Sequence, residues 1–525
     1  MKWTAKQLKA KFEKLKGERM TWESHWQEIG DYIFPRKSDI TTVRAQGDKR
    51  NLVLVNSTGV QSNTMLASAL AGMLTNPTTM WFEFLTGIEE LDNNDKIRRW
   101  LQKTTRTVHS ILNNSNFQEE IHEVYLDLCS FGTTAHSIEE DDEYHVRFKT
   151  YHIKDLYLEE NHLGQVATIL RPFKMNAFNL ISMFGKENMH EDVMKCYEKG
   201  EDKMWEVIHG IYPMLDESAR GFTYWSQYLL VEKDHFIKEG GFRDLPVVIS
   251  RWAKASGETY GRSPGMDALP DVKMLNAIDE TLIKASQKVV DPPLQAPDDG
   301  FIAPIRTVPG SLNYYRGGSS DRIEPFGNDA NIPVGIEYQR EIAQRVRQIY
   351  FIDQLQLIQG PQKTATEVLQ RTEESVRLLS PMMSRQEHEN LRPTLDRVFA
   401  ILLKRNVINK DEIPEELAGM DLKVKYSSLI AKAQRMSETE SIIRAFQLAA
   451  PFMQIDPNAA DNLNADEALR VISRIQGLPQ EMIRDREDRD NMRKARAEQQ
   501  QQMQQQEQMV AAVDSASQAK KSGLI

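Results

Sequence analysis

The stretch with the strongest chemical suggestion is 260–276, YGRSPGMDALPDVKMLN, in which two glycines and an arginine precede a run of helical apolar spacing. Backbone N–H groups at the start of a helix can bind an anion such as phosphate. A P-loop also needs a Lys-Ser/Thr pair after GxxxxG, and this stretch has none. Gly360 to Thr364 does contain such a pair, but no glycine directly precedes Lys363 and Pro361 removes one N–H group. We therefore expect no nucleotide at either segment.

Other groups of reactive residues are equally weak as evidence for catalysis. The acidic run Glu139 to Glu143 offers carboxylate oxygens for a metal, but its position before an alternating run favours a solvated hairpin turn. The eleven histidines include no HExxH, and Gly-x-Ser-x-Gly does not occur. We predict no enzyme and no catalytic, cofactor-binding or metal-ligating residue.

Length and composition limit the class of protein. The 525 residues exceed what one hydrophobic core usually organises, and the net charge of −10 argues against a basic patch that holds DNA or a membrane surface. Only Cys129 and Cys196 are present, without metal-ligand spacing, which is typical of a cytoplasmic protein. No apolar run reaches 18 residues and the first 20 residues lack the core of a signal peptide, so we expect neither membrane spanning nor secretion.

The first half of the chain predicts helices followed by strands. Apolar spacing indicates helices over 21–35, 60–75 and 95–112, and Asn116 and Glu119 have capping-box spacing at the start of a fourth. After Gly132 the pattern becomes alternating. Strands are predicted at 144–148, 166–171, 204–212, 222–231 and 245–252.

The second half again favours helices. A stripe from Leu269 to Val289 predicts one long helix, which Asp291-Pro292-Pro293 must end. Loop and short strand should follow to 333, then a helix from Val334, a non-helical stretch over 351–361, and a helix that begins at the Thr364 to Glu367 capping box. Pro381 and Pro393 should kink this last helix. Asn464 and Glu467 predict another helix, ahead of a glutamine-rich tail. The fold class is mainly α with a β-rich part (α+β).

The chain resembles the portal, or head-to-tail connector, proteins of short-tailed bacteriophages. Three pieces carry the resemblance: 18–35, ERMTWESHWQEIGDYIFP; 258–273, ETYGRSPGMDALPDVK; and 363–367, KTATE, with the helix after it. Each is modestly specific, and their order and spacing are more so. The resemblance covers about residues 10 to 480.

The resemblance implies a ring-forming fold with wing, stem, clip and crown. Its expected divisions are 1–266 wing, 267–290 first stem helix, 291–333 clip, 334–350 second stem helix, 351–362 tunnel loop, 363–435 kinked helix and remaining wing, 436–500 helical crown, and 501–525 a disordered tail. The implied function is a dodecameric channel at one capsid vertex for DNA packaging and ejection. The alternative is a helical scaffold or internal core protein of the virion without a channel.

The resemblance also implies partners and sites. Expected partners are copies of the chain, double-stranded DNA, the terminase packaging motor, tail adaptor proteins, and the major capsid and scaffolding proteins, in a virion assembled in the host cytoplasm. The residues expected near DNA are Gln354, Gln356, Gln359, Lys363, Lys284, Lys288, Arg340 and Arg347. The clip residues expected to dock the motor and tail are Tyr314, Tyr315, Arg316, Arg322 and Phe326.

Overall fold

The computed structural model describes residues 2–45, 47–50, 53–92, 94–214, 221–291, 294–295, 324–325, 332–356, 379–417, 422–426, 429–455, 462–476, 478 and 482–521. The chain forms two compact units, one of Met1–Thr75 with Ser115–Val398 and one of Asn76–Asn114 with Phe399–Ile525. Each contains helices and antiparallel sheet, so the fold is α+β as predicted.

The helices of the first unit are α1 Ala5–Tyr32, α2 Thr58–Leu74, α5 Phe117–Phe131, α6 Ala177–Phe184, α7 Glu191–Glu198, α8 Pro264–Val290, α9 Ile332–Ile349, α10 Ile352–Gln356 and α11 at 379–386. A π-helix, Glu387–Leu391, joins α11 to α12, Arg392–Lys404, in which the first unit ends. The second unit has α3 Glu89–Asp92, α4 Asp95–Asn114, α13 Leu429–Ile455, α14 Ala465–Ile475 and α15 Arg486–Lys521.

The strands are β1 Phe82–Leu85, β2 Thr133–Asp141, β3 His145–Tyr151, β4 Tyr157–Glu160, β5 Val166–Asn176, β6 Met204–Pro213, β7 Tyr224–Leu230, β8 His235–Phe242, β9 Val247–Arg251, β10 Leu294–Gln295, β11 Glu324–Pro325 and β12 Lys423–Tyr426. The first unit has a five-stranded sheet β4-β5-β6-β7-β8, a three-stranded sheet β3-β2-β9 and the pair β10-β11, while β1 pairs with β12 in the second unit. All pairs are antiparallel.

The five-stranded sheet is covered on both faces. Ile208 packs in one cluster with Leu8 and Phe12 of α1, whereas Val207 packs in another with Leu180 of α6 and Cys196 of α7. Adjacent residues of a strand point to opposite faces, so this parity places α1 on one face and α6 and α7 on the other. Helix α1 therefore packs over one face of the sheet, a role that the sequence of this helix alone does not reveal.

Several predicted boundaries are wrong. Helix α1 begins at Ala5 rather than near residue 21, because Thr4 and Gln7 form a capping box. Asn116 does not cap α5; its side chain bonds the backbone N–H and carbonyl of Phe148 instead. Strands β2, β4 and β8 were not predicted, and the expected capping box at 364–367 lies outside the described residues.

A π-helix interrupts the regular α-helix just before Pro393, one of the two prolines expected to kink it. The π-helix ends two residues before Pro393, whose missing N–H cannot complete a regular α-helical bond. Beyond it Leu395, Val398 and Leu402 are buried on one face, as their spacing predicts. The acidic run Glu139 to Glu143 covers the end of β2 and enters the tight turn at 142–144 before β3, so the predicted hairpin is found but its turn starts three residues later.

Candidate functional site

Helices α8 and α9 pack against each other as a hairpin, the part of the fold in which four of the eight predicted DNA-contacting residues lie. The first half of α8 is embedded in the unit, with Leu269, Val272 and Leu275 buried. Its last third, from Glu280 to Val290, has no buried residue. The hairpin is therefore anchored at one end and exposed along the other.

The anchored end depends on three glycines at which backbones nearly touch. A Cβ on Gly261 would lie 2.3 Å from the carbonyl oxygen of Gly132, and one on Gly265 would lie 2.8 Å from that of Ser130. Ser263 caps α8, because its Oγ accepts from the N–H of Met266 at 3.0 Å and donates to the Ser130 carbonyl at 2.6 Å. The glycines of the 260–276 stretch serve close backbone packing.

Arg262 is committed to protein partners. Its guanidinium forms an ion pair with Glu258 at 2.5 Å and lies 4.7 Å from the ring centre of Trp22. The hydrogen bonds that Arg262 donates to the Glu258 carboxylate raise the pKa of Arg262. Arg262 therefore braces Trp22 of α1 and the turn before α8.

Two side chains of α8 hold the segment that leads into α2. Asn276, which is buried, accepts the backbone N–H groups of Val55 and Asn56 at 2.8 and 3.0 Å. Asp279, one turn further, accepts the side-chain amide of Asn56 at 2.6 Å. These bonds mark where α8 leaves the body of the unit.

Close packing continues into the exposed part of the hairpin. A Cβ on Gly335 of α9 would lie 2.6 Å from a methyl carbon of Leu282. Ile342 and Val346, on the same side of α9 as Gly335, are buried. Apolar side chains nevertheless stay exposed on the outer sides of both helices, namely Ile283, Val289, Val290, Val334, Ile336 and Tyr338.

The four predicted basic residues of the hairpin are exposed, but they are not equivalent. Lys284 forms an ion pair with Glu280 at 2.6 Å, which neutralises part of its charge. Lys288, Arg340 and Arg347 are in no ion pair with any residue that the structure describes. The last three are the better candidates for an external anion.

The start of the predicted tunnel loop is fixed in the core. Tyr350 and Ile352 are buried on either side of Phe351, whose φ of +57° is strained for an aromatic residue. The expectation of a wholly non-helical stretch is wrong, because residues 352 to 356 form α10. Gln354 is half-buried there and Gln356 is its last residue. Gln359 and Lys363 lie outside the described residues.

The described residues of the predicted clip include one strand pair. Leu294 pairs with Pro325 and Gln295 with Glu324, which closes the segment between the two helices at its base. The predicted docking residues lie outside the described residues: Tyr314, Tyr315, Arg316, Arg322 and Phe326.

Sequence reasoning missed a buried charged cluster around Arg251, next to the hairpin's anchor. The Arg251 side chain is 4% exposed, forms two hydrogen bonds with Glu389 of the π-helix at 3.0 and 3.1 Å, and pairs with Glu160 of β4. Burial alone would lower the pKa of Arg251, but the bonds that its guanidinium donates to Glu389 and Glu160 outweigh burial and the pKa is raised. Arg251 is 91 positions from Glu160 and 138 positions from Glu389 in sequence, so no local spacing signals the cluster.

Within the described ranges, no three His, Cys, Asp or Glu side chains come together as metal ligands would. None of the described helices combines the length and apolarity needed to cross a bilayer.

The chain belongs to the family of bacteriophage head to tail connecting proteins, whose family model matches residues 5–483. It is 30% identical over 495 residues to a probable portal protein of Bordetella phage BPP-1, with 91% of this chain and 88% of that protein covered. It is 29% identical to the portal protein of Salmonella phage epsilon15, with 92% and 89% covered. The resemblance predicted from three sequence motifs is thereby confirmed.

Among solved structures, a chain of the virion of a native gene transfer agent particle matches with a TM-score of 0.36 and 12% identity. The match covers 80% of this chain and 90% of that one. A chain from the neck of an empty particle of the same kind has a TM-score of 0.35 and 12% identity, with 74% and 86% covered.

Proposed function

We propose that copies of this chain close into a dodecameric ring at one capsid vertex, through which DNA is packaged and later ejected. The observation that carries the proposal is the anchored hairpin of α8 and α9, because its exposed part carries apolar side chains on two outer sides. Exposed apolar surface of this extent favours burial against another protein. A head-to-tail interface that closes on itself would bury one outer side of each hairpin against the other side of the next.

Inside such a ring, basic residues of the hairpins would meet DNA. Lys288, Arg340 and Arg347 would form sparse positive rings in a protein of net charge −10, while Lys284 would contribute less because of Glu280. Contacts of this kind are transient and weaken with salt, which suits a duplex that must slide. Replacing all three with alanine should lower the salt dependence of DNA translocation, whereas Lys174→Ala on strand β5 should leave it unchanged. Equal salt dependence in both variants would contradict this assignment.

The loop after α9 would narrow the channel and act as a valve. Its root is fixed by buried Tyr350 and Ile352, which would give the polar residues beyond it a rigid base. Those proposed to lie nearest DNA are Gln354, Gln356, Gln359 and Lys363. Deletion of 353–360 should impair DNA retention in filled heads; normal packaging and retention would rule the valve out.

Residues 291–333 would dock first the terminase and later the tail adaptor proteins. Support comes from their place between α8 and α9, whose ends the β10-β11 pair brings together. The proposed anchors are Tyr314, Tyr315, Arg316, Arg322 and Phe326, since Tyr and Arg carry much of the energy at interfaces. Tyr315→Ala should weaken binding to at least one partner. Wild-type affinity for both would remove Tyr315 from the interface.

The proposed role is structural, and the energy for packaging would come from the motor. Purified protein without motor should hydrolyse no ATP, and robust turnover would overturn this view. Electron microscopy tests the ring itself and should show particles with a central hole. A compact or fibrous particle without a hole would favour the alternative, a helical scaffold or internal core protein of the virion without a channel. Capsid and scaffolding proteins would surround the ring during assembly in the host cytoplasm.

A further inference from the structure

Helix α13 is apolar over most of its circumference between residues 439 and 452, TESIIRAFQLAAPF, with Glu440, Arg444 and Gln447 on the remaining side. It packs against α14, and its half-buried positions Ile442, Phe446 and Ala449 lie on one side. An apolar surface wider than the stripe that one neighbouring helix covers normally lies in an interior. In the single copy, however, Leu448 and Phe452 are 66% and 67% exposed.

The exposed apolar residues form two separate flanks on opposite sides of the helix. At about 100° per residue, Ala445, Leu448 and Phe452 share one side, which we name the first flank. Ile443 and Ala450 share the opposite side, the second flank, and all five residues are exposed. One partner with a single surface would cover only one flank. A copy of the chain on each side covers both.

We propose that the first flank of each copy packs against the second flank of the next copy around the ring, an inference that rests on the proposed ring. Rotation about a ring axis keeps equivalent residues at one height, so residues of similar number meet when the helices run along that axis. Leu448 and Phe452 then lie above and below Ala450, and Ala445 lies within about 3 Å of the height of Ile443. In both places a large side chain meets a small one, as close packing requires.

Charges at the edges of the flanks complement each other in the same arrangement. Arg444 borders the first flank and Glu440 borders the second, both exposed. They are four residues apart, yet among the described residues neither is in an ion pair. Side-by-side packing brings Arg444 of one copy towards Glu440 of the next. The occupant that fits both the shape and the charge of α13 is therefore another α13.

Cysteine cross-linking in full-length purified rings tests this packing. Leu448→Cys and Ala450→Cys are combined in one chain, where the two thiols lie about 160° apart on the helix and cannot join to each other. The native Cys129 and Cys196 are buried and contribute little background. Mild oxidation should convert the double variant into a ladder of covalent multimers on a denaturing gel. Each single variant carries only half of the pair and should stay monomeric.

The outcomes separate this inference from the proposed function. Rings that are intact by electron microscopy but yield no ladder refute the packing and leave the ring standing. Wild-type protein that forms no ring refutes both.

Charge reversal gives a second readout in the same cysteine pair. Glu440→Arg or Arg444→Glu alone should slow cross-linking about two- to fivefold, the range for one exposed ion pair. The two reversals together should restore the rate, because each junction again joins opposite charges. Cross-linking rates equal to that of the unreversed pair in all three variants would contradict the pairing of Arg444 with Glu440.

Discussion

Gly261→Ala should destabilise the protein at the root of α8, and the structure sets the magnitude. The new Cβ would lie 2.3 Å from the Gly132 carbonyl oxygen and 2.8 Å from the Cβ of Arg251. Relief requires a shift of about 1 Å, since comfortable carbon contacts begin near 3.5 Å. Overpacking of this kind costs about 1–3 kcal/mol. The shift also strains the bond from the Gly261 N–H to Thr133 Oγ1, at 2.7 Å, which adds about 1 kcal/mol.

The same shift has a geometric consequence further along α8. Asn276 pins the helix about 17 Å from Gly265 at roughly 1.5 Å per residue, so a 1 Å shift at the start tilts the helix by about 3.5°. Lys288, an equal distance beyond the pin, then moves by about 1 Å in the opposite direction. A ring that repeats this displacement in every copy should assemble poorly.

Thermal unfolding and negative-stain microscopy check both consequences, with Gly72→Ala as the control. A Cβ on Gly72 meets nothing within 4 Å, and the residue lies inside α2, so alanine should stabilise by about 0.5–1 kcal/mol. We expect Gly261→Ala to lower the melting temperature by about 3–5 °C and to reduce the yield of rings. A melting temperature within one degree of the wild type, with normal rings, would refute the steric reasoning.

Three further predictions concern single polar residues. Asn276→Ala should cost about 1–3 kcal/mol, because two backbone amides lose their acceptor, and limited proteolysis should then cut faster between α1 and α2. Arg251→Lys should destabilise by at least about 2 kcal/mol in denaturant melts, since a single ammonium cannot reproduce the two parallel bonds to Glu389 together with the bond to Glu160. An unchanged free energy of unfolding would mean that these bonds do not stabilise the fold. Burial raises the pKa of Asp127 to about 6 despite its ion pair with Lys37, so this carboxyl binds a proton more readily in the folded state. Its contribution to stability should fall by about 2–3 kcal/mol as pH rises from 4 to 7, and the stability difference between wild type and Asp127→Asn should show this slope; a flat difference would contradict it.

Local signals in the sequence located most elements because they act within a few residues. Spacing alone placed α8 within three residues of its observed start and placed its end at Val290, where Asp291 precedes two prolines. The same spacing found the buried face of α12. Elements that depend on distant partners are not predicted by local signals. Strand β2 buries Thr, His and Ser side chains, so it lacks an alternating apolar pattern. Its extended backbone is stabilised by pairing with β3 and β9.

The candidate site divides in the same way. The family, the helical hairpin and its basic positions could be predicted from the residues, since they follow from motifs, apolar period and charge. The contacts of the glycines at 261 and 265 with the backbone at Gly132 and Ser130 became visible only in the folded chain. So did the ion pair of Glu280 with Lys284, which leaves Lys288 without an ion partner among the described residues. These features depend on contacts between segments more than 100 residues apart or on the rotamer of a long side chain, and neither is encoded in the local order of residues.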